Sequence, residues 1–253
     1  AFDINQSAPT DMLLVKLKTH DQTIKDVSIW KKGLGVYSRQ HLRLKFSYEE
    51  VEKILLERPW TLNYKKDNTF GKELEGKDVG RYTIHWNGKK WLSYGPWLAF
   101  QRPIEFFSGT RLLVREITSG GRYRVFASYT EDEFYNNQSM FNGILKLGND
   151  YELKFLLSLI NSSLFSFWQK VTSPKSKRKL FPTLLMETIE NFPLVKLTRK
   201  EQQPLILLVD QILKEKGKSI PKNTDELERK IDDLVYHLYD INEEEQKLIE
   251  GKE

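Results

Sequence analysis

After Asn149 the hydrophobic pattern of this chain changes period and does not change back. Upstream, apolar residues fall in short runs punctuated by turn signals. Downstream, Leu153, Leu156, Leu157, Ile160, Leu164, Phe167 and Trp168 recur at helical spacing. A stripe this broad predicts a mostly covered helix, with its apolar stretch from Phe155 to Gln169. Thr198-Arg199-Lys200-Glu201 has the spacing of a capping box, in which a hydroxyl and a carboxylate each satisfy an orphan amide. It leads into Leu205, Leu208, Val209 and Ile212. Asn223 with Glu226, and Asn242 with Glu245, open two further helices. Residues 148–253 are therefore read as a helical support region.

Residues 1–147 read as mixed and β-rich, which makes the whole chain α+β. Ser47-Tyr48-Glu49-Glu50 is another capping box, and Val51, Ile54 and Leu55 follow it until Arg58 meets Pro59, so a short helix is expected there. Val79 to Trp86, closing on Asn87-Gly88 with Lys89 to Tyr94 returning, predicts a β-hairpin. Gly109 to Ile117 and Arg122 to Tyr129, flanking Gly120-Gly121, predict a second. No internal repeat is present.

With 253 residues the chain can bury a sizeable core. It has no cysteine, which excludes disulfides, thiolate metal sites and thiol nucleophiles and fits a reducing cytoplasm. It starts without Met, as a piece of a longer protein would, and Ala1 to Thr10 lack the character of a signal peptide. The apolar stretch from Phe155 to Gln169 contains Asn161 and serines and is shorter than the ~20 residues that span a bilayer, so no membrane role is expected. Charge is unevenly placed. Residues 223–253 hold eleven acids and four bases, a net of −7, so with a total of +5 the remaining residues 1–222 carry +12. A body this basic attracts polyanions, although basic surfaces also serve solubility alone.

Catalytic patterns are missing. Gly33-Leu34-Gly35 lacks the flanking strand, third glycine and helix start of a cofactor-binding turn and reads as a tight turn. No two prolines are adjacent, so the Asn/Asp-Pro-Pro-aromatic loop of amino methyltransferases is absent. Glu75 with Lys77, Glu152 with Lys154 and Glu228 with Lys230 have nuclease-like spacing, but no Pro-Asp pair precedes them. His20, His41, His85 and His237 are isolated, and no metal site is expected. No phosphate-cradling loop and no nucleophile elbow occur.

Binding signals are stronger. Between Arg58 and Arg124 lie thirteen Lys or Arg, six acids and twelve aromatics, including Trp60, Trp86, Trp91 and Trp97. Cations interleaved with rings suit a surface that grips phosphates and packs against sugars or bases, while the tryptophans could equally be core. The candidates are Lys65, Lys66, Lys72, Lys77, Arg81, Lys89 and Lys90. Arg81 is the preferred orienting or base-reading residue, the other possibility being an ion pair with Asp78 or Glu75. A second cluster, Lys175, Lys177, Arg178 and Lys179, lies in the loop after the buried helix, where it either reaches a DNA backbone or is simply solvated.

Three stretches in order carry a family likeness: Leu74 to Tyr82 followed by Trp91-Leu92-Ser93-Tyr94; Arg111 to Ile117; and Leu157 to Ser162 continuing to Glu226 to Tyr239. Together they resemble the C-terminal specificity domain of TaqI-like and Eco57I-like adenine-specific DNA methyltransferases. The resemblance implies that this region grips double-stranded DNA and selects its sequence. It also implies that an upstream domain of the same polypeptide binds S-adenosylmethionine and methylates adenine N6, with a nuclease fused in some relatives, so that no cofactor is expected in this chain. It further suggests that the C-terminal helices are a scaffold whose acidic outer face points away from DNA. Two other readings stay open: a protein-interaction module with no DNA role, and a nuclease or methyltransferase of unfamiliar pattern.

Overall fold

The structure is a computed structural model that describes residues 8–176 and 182–252. Its first half runs α1 (Ala8–Leu17), β1 (Gln22–Thr23), α2 (Ile24–Val27), β2 (Ser28–Lys32), α3 (Arg39–Leu42), α4 (Tyr48–Glu57), β3 (Thr61–Leu62) and β4 (Phe70–Leu74). There follow β5 (Val79–Gly80), β6 (Thr83–Ile84), β7 (Trp91–Ser93), β8 (Arg111–Arg115), β9 (Ala127–Thr130), β10 (Tyr135–Asn136) and β11 (Met140–Leu145). The remainder is α5 (Leu153–Ile160), α6 (Ser163–Thr172), α7 (Met186–Glu190), β12 (Pro193–Leu194), α8 (Arg199–Lys216), α9 (Asp225–Leu238) and α10 (Glu243–Glu250). Strands dominate before residue 147 and helices after it, so the fold is α+β as expected.

Three layers result. An antiparallel sheet in the order β2-β11-β8-β9 lies in the middle. Successive side chains of a strand face opposite ways, and β8 uses both faces. Leu112 and Val114 join Trp30, Phe141, Leu156 and Val235 in the principal core against the helices, while Leu113 joins Leu74, Val79, Phe134 and Met140. This explains why Arg111 to Val114 is buried throughout. The second sheet, β10-β4-β7-β3, forms the outer layer over a smaller core containing Leu34, Leu92, Leu98 and Phe107. No helix among the described residues is long and apolar enough to cross a membrane.

Local signals are realised where the sequence placed them. Glu50 N donates to Ser47 Oγ at 3.3 Å and Ser47 N to Glu50 Oε2 at 2.8 Å, so the box before α4 forms. The boxes at Thr198 and Asn242 form too. The hairpin around Gly120-Gly121 is real, with Arg111 opposite Thr130, Val114 opposite Ala127, and Gly121 at φ +86°.

Other expectations are corrected. The stripe from Leu153 is two helices, because Asn161 caps α5 and the Ser162 hydroxyl accepts from Phe165 N to start α6. The helix expected from Asn223 starts after Thr224, with Asn223 accepting from Asp225 N. The Asn87-Gly88 hairpin does not pair as expected. β5 turns back on β6 across Arg81-Tyr82, and β7 instead pairs with β4 and β3. Burying Tyr82 in the principal core and Leu92 in the smaller one decides this pairing. Helix α1, which the sequence pattern did not announce, brings Leu13, Leu14 and Leu17 into the principal core beside α10. That core is therefore continuous across residue 147.

Gly33-Leu34-Gly35 is extended rather than a tight turn, and it ties the two sheets together. Gly33 N donates to Met140 O at 3.0 Å, Leu34 N to Asn136 O at 2.8 Å, and Gly35 exchanges bonds with Phe100 at 3.1 and 2.7 Å. A Cβ on Gly33 would lie 2.1 Å from Asn137 O, and one on Gly35 would lie 2.4 Å from the Phe100 ring. The segment packs against its own protein and forms no cofactor cradle. Gly33→Ala should therefore lower stability by about 2 kcal/mol or more through forced displacement of main chain. Gly88→Ala, at φ +76° in open space, should lose only about 1 kcal/mol. Urea unfolding midpoints of the two variants check the difference.

Candidate nucleic-acid interface

β4 presents Phe70, Lys72 and Leu74 on one face and Gly71 and Glu73 on the other. On the first face Lys72 Nζ stands 5.4 Å from the Trp86 ring and 5.6 Å from Phe134, and Lys65 Nζ stands 5.9 Å from Trp91. Trp86 and Trp91 meet edge to face at 5.1 Å. Their indoles are half-buried, which fixes the rings beneath the ammonium groups of these exposed lysines. Lys66 and Lys89 are exposed nearby in sequence, Lys89 in the turn where its amide donates to Asn87 Oδ1. None of Lys65, Lys66, Lys72 and Lys89 forms an ion pair among the described residues. Exposed, unpaired cations held over a rigid aromatic base are what phosphate contacts require.

Lys77 and Lys90 are engaged differently. Both pair with Glu75, Lys77 at 3.1 Å, and the hydrogen bond from Lys90 first and that from Lys77 after it hold the Glu75 carboxyl below its usual range. Glu75 and Lys77, whose spacing resembled a nuclease pair, are thus an ion pair at the end of β4, and the described residues contain no His, Asp and Glu cluster able to hold a metal.

Arg81 is corrected outright. It is only 11% exposed, and its guanidinium is committed to Glu228 (2.9 and 2.5 Å) and Asn161 O (2.6 Å) while stacking 3.9 Å from the centre of Tyr123. Neither Asp78 nor Glu75 is its partner. A group so fully engaged inside the protein is not free to read a base. Glu228 also takes Lys216 at 2.8 Å, and the neighbouring Asp232 takes Arg122 at 2.7 Å. These acids of the C-terminal tail therefore face inward, so the −7 of that segment is not all an outer face. Lys175 is half-buried; Lys177, Arg178 and Lys179 lie outside the described residues.

A groove of about 400 Å³ on the other side of β4 went unseen in the sequence. It is lined by Glu73, Glu75 and Lys90, by Tyr37 and Arg58, and by Asn137, Gln138 and Ser139. Glu73 is 6% exposed, and burial pushes its carboxyl up to about 7 from the usual 4.5. The available signal was a Glu inside the short strand Phe70 to Leu74, where period-2 alternation would otherwise place an apolar residue facing inward.

Two outcomes follow. Glu228→Ala should cost about 3–5 kcal/mol in unfolding free energy, because it strands the Arg81 and Lys216 charges inside the protein. For Glu73, the folded state binds a proton more tightly than the unfolded one, so stability falls as pH rises from 4.5 to about 7 and then levels. Glu73→Gln removes that loss and should gain up to about 3 kcal/mol over the wild type across this window. Thermal melts from pH 4.5 to 8 measure it.

No curated protein sequence matches the chain. Among solved structures, the type IIL restriction-modification enzyme MmeI in complex with DNA is similar over 88% of this chain, with a TM-score of 0.56 and 12% identity. The type IIG restriction endonuclease BpuSI is similar over 92%, with a TM-score of 0.46 and 10% identity. The chain spans only 34% of the MmeI chain and 33% of the BpuSI chain. The first likeness shows a shared fold. Residues 71–194, which include Lys72, Glu73, Trp86 and Trp91, match the model of a TaqI-like C-terminal specificity domain.

Proposed function

We propose that this protein recognises a target sequence in double-stranded DNA on behalf of a restriction-modification enzyme. One observation carries the reading: within and beside the stretch that matches a specificity domain, unpaired lysines stand over the joined indoles of Trp86 and Trp91. That layer supplies phosphate contacts and leaves base reading to polar side chains beside it. The rest of the reading follows from the family. An upstream domain of the same polypeptide binds S-adenosylmethionine and methylates adenine N6, with or without a fused nuclease, and the protein works on cytoplasmic DNA. The described residues of this chain hold and orient the duplex for that chemistry.

Fluorescence anisotropy on mixed-sequence duplexes tests the assignment. Affinity should fall steeply with salt. Replacing Lys65, Lys66 and Lys72 together by Gln should weaken binding to every duplex and lower the slope of log K against log salt by about 0.9 for each phosphate no longer neutralised. Salt-independent affinity, or a triple variant that binds as the wild type does, defeats the proposal. Incubated with DNA, magnesium and S-adenosylmethionine, the chain alone should neither cleave nor methylate.

A further inference from the structure

Two tyrosines are exposed among the described residues, Tyr48 and Tyr64. Tyr48 carries the Arg43 guanidinium 5.4 Å from its ring centre. Tyr64, 56% exposed, has no ring, cation or hydrogen-bond partner among the described residues. Its place in the fold gives that exposure a meaning. β3 and β4 pair with opposite edges of β7, so residues 63–69 cross that strand, on which Trp91 stands. Through Lys65, 5.9 Å from the Trp91 ring, this loop belongs to the same face as Lys72 and Trp86.

The crossing is fixed at both ends. Leu62 lies opposite Trp91, while Thr69 O accepts from Tyr94 N at 2.9 Å and the Thr69 and Ser93 hydroxyls are 2.7 Å apart. Asp67 closes the turn between them, its carboxylate accepting from Thr69 N at 2.8 Å and from the Thr69 hydroxyl at 2.6 Å. A loop anchored in this way presents its exposed ring with little ordering left to do on binding.

Charge selects the partner. Lys65 and Lys66 follow Tyr64 directly, both exposed and without an ion pair among the described residues. Asp67, the single acid from Asn63 to Phe70, is hydrogen-bonded to its own loop. A flat ring beside two unpaired cations suits a ligand that is anionic outside and stacked inside. Double-stranded DNA has this composition: its phosphates take the lysines and its base pairs meet the ring.

We propose that Tyr64 is a wedge that packs into a base step of the target while Lys65 and Lys66 hold the flanking phosphates. This rests on the DNA-recognition role proposed above and supplies it with a source of sequence preference. A base step opens most easily where a pyrimidine precedes a purine, at TA and CA/TG, so an inserted ring favours sites containing such a step without hydrogen-bonding any base. The lysines contribute affinity for every sequence, and Tyr64 contributes a preference for deformable sites.

The test is selection of duplexes from a randomised library by this chain, followed by sequencing and by permanganate oxidation of the bound sites. The wild type should enrich a motif with one pyrimidine–purine step, whose thymine becomes more reactive to permanganate on binding because it is unstacked. Tyr64→Ala should lower the preference for that motif over random duplex roughly tenfold, as expected for one lost stacking contact, and return the thymine to the reactivity of free DNA. Tyr64→Phe, which keeps the ring, should behave as the wild type does. Replacing Lys65 and Lys66 by Gln should instead weaken binding to all duplexes and leave the preference in place. A wild type that selects a motif lacking such a step, or a Tyr64→Ala variant that selects the same motif to the same extent, overturns the wedge and leaves the recognition role standing. If the wild type selects no motif at all, both fall.

Discussion

The amide side chain of Asn161 is the joint on which the helical and sheet layers meet. It is fully buried between α5 and α6, accepts from Ala127 N at 3.1 Å and donates to Ala127 O at 3.0 Å, so it extends the β9 edge as a further strand residue would. Its own carbonyl accepts from Arg81, which in turn holds Glu228 on α9. One asparagine thus satisfies a sheet edge, ends a helix and anchors a buried cation. Next to it Asp232 accepts from the amide and hydroxyl of Ser163 and from Tyr123. Removal of any member leaves polar groups stranded where water does not reach, which gives the seam a unique register that apolar packing would not impose.

This seam also explains what the family-like stretches encode. Leu157 to Ser162 supplies Asn161, Glu226 to Tyr239 supplies Glu228 and Asp232, and Leu74 to Tyr82 supplies Arg81. Motifs far apart in sequence are therefore partners in one network. Taken one at a time they look like an amphipathic helix, a turn with an exposed arginine, and an acidic tail. Local signals, namely the capping boxes and the Gly120-Gly121 hairpin, were fully legible because a few neighbouring residues determine them. The pairing of β7 and the inward turn of the acids were not, because both are settled by which distant residue fills a cavity or neutralises a charge. Basic character led to exposed lysines over rings at Lys65 and Lys72 and to a buried ion pair at Arg81, whose partner lies 147 positions away.

The outer layer is built differently from the core behind it. Its clusters are small, its tryptophans are half-exposed, and its charges are arranged as solvent-facing cations on one face and a buried acid on the other. Glu73 raises the free energy of the folded chain wherever it is ionised, and burial of the Arg111 charge on β8 of the adjoining sheet is unfavourable in the same sense but is offset by hydrogen bonds. The Arg111 guanidinium donates to the carbonyls of Gly109, Asp132 and Phe134, fixing the approach to β10 although burial lowers its pKa to about 10. A layer with such polar content keeps its shape through main-chain and arginine–carbonyl bonds more than through apolar volume.

The extended glycines give this arrangement a further meaning. Gly33 and Gly35 join the sheets by main-chain bonds, with no side chain of their own at the crossing. The distance and tilt between the outer sheet and the middle sheet are therefore fixed by atoms that every residue type shares. Side chains in the outer sheet can then diverge without shifting the frame that presents them. A chain built this way can exchange outer-sheet residues while the joint between its two sheets stays the same.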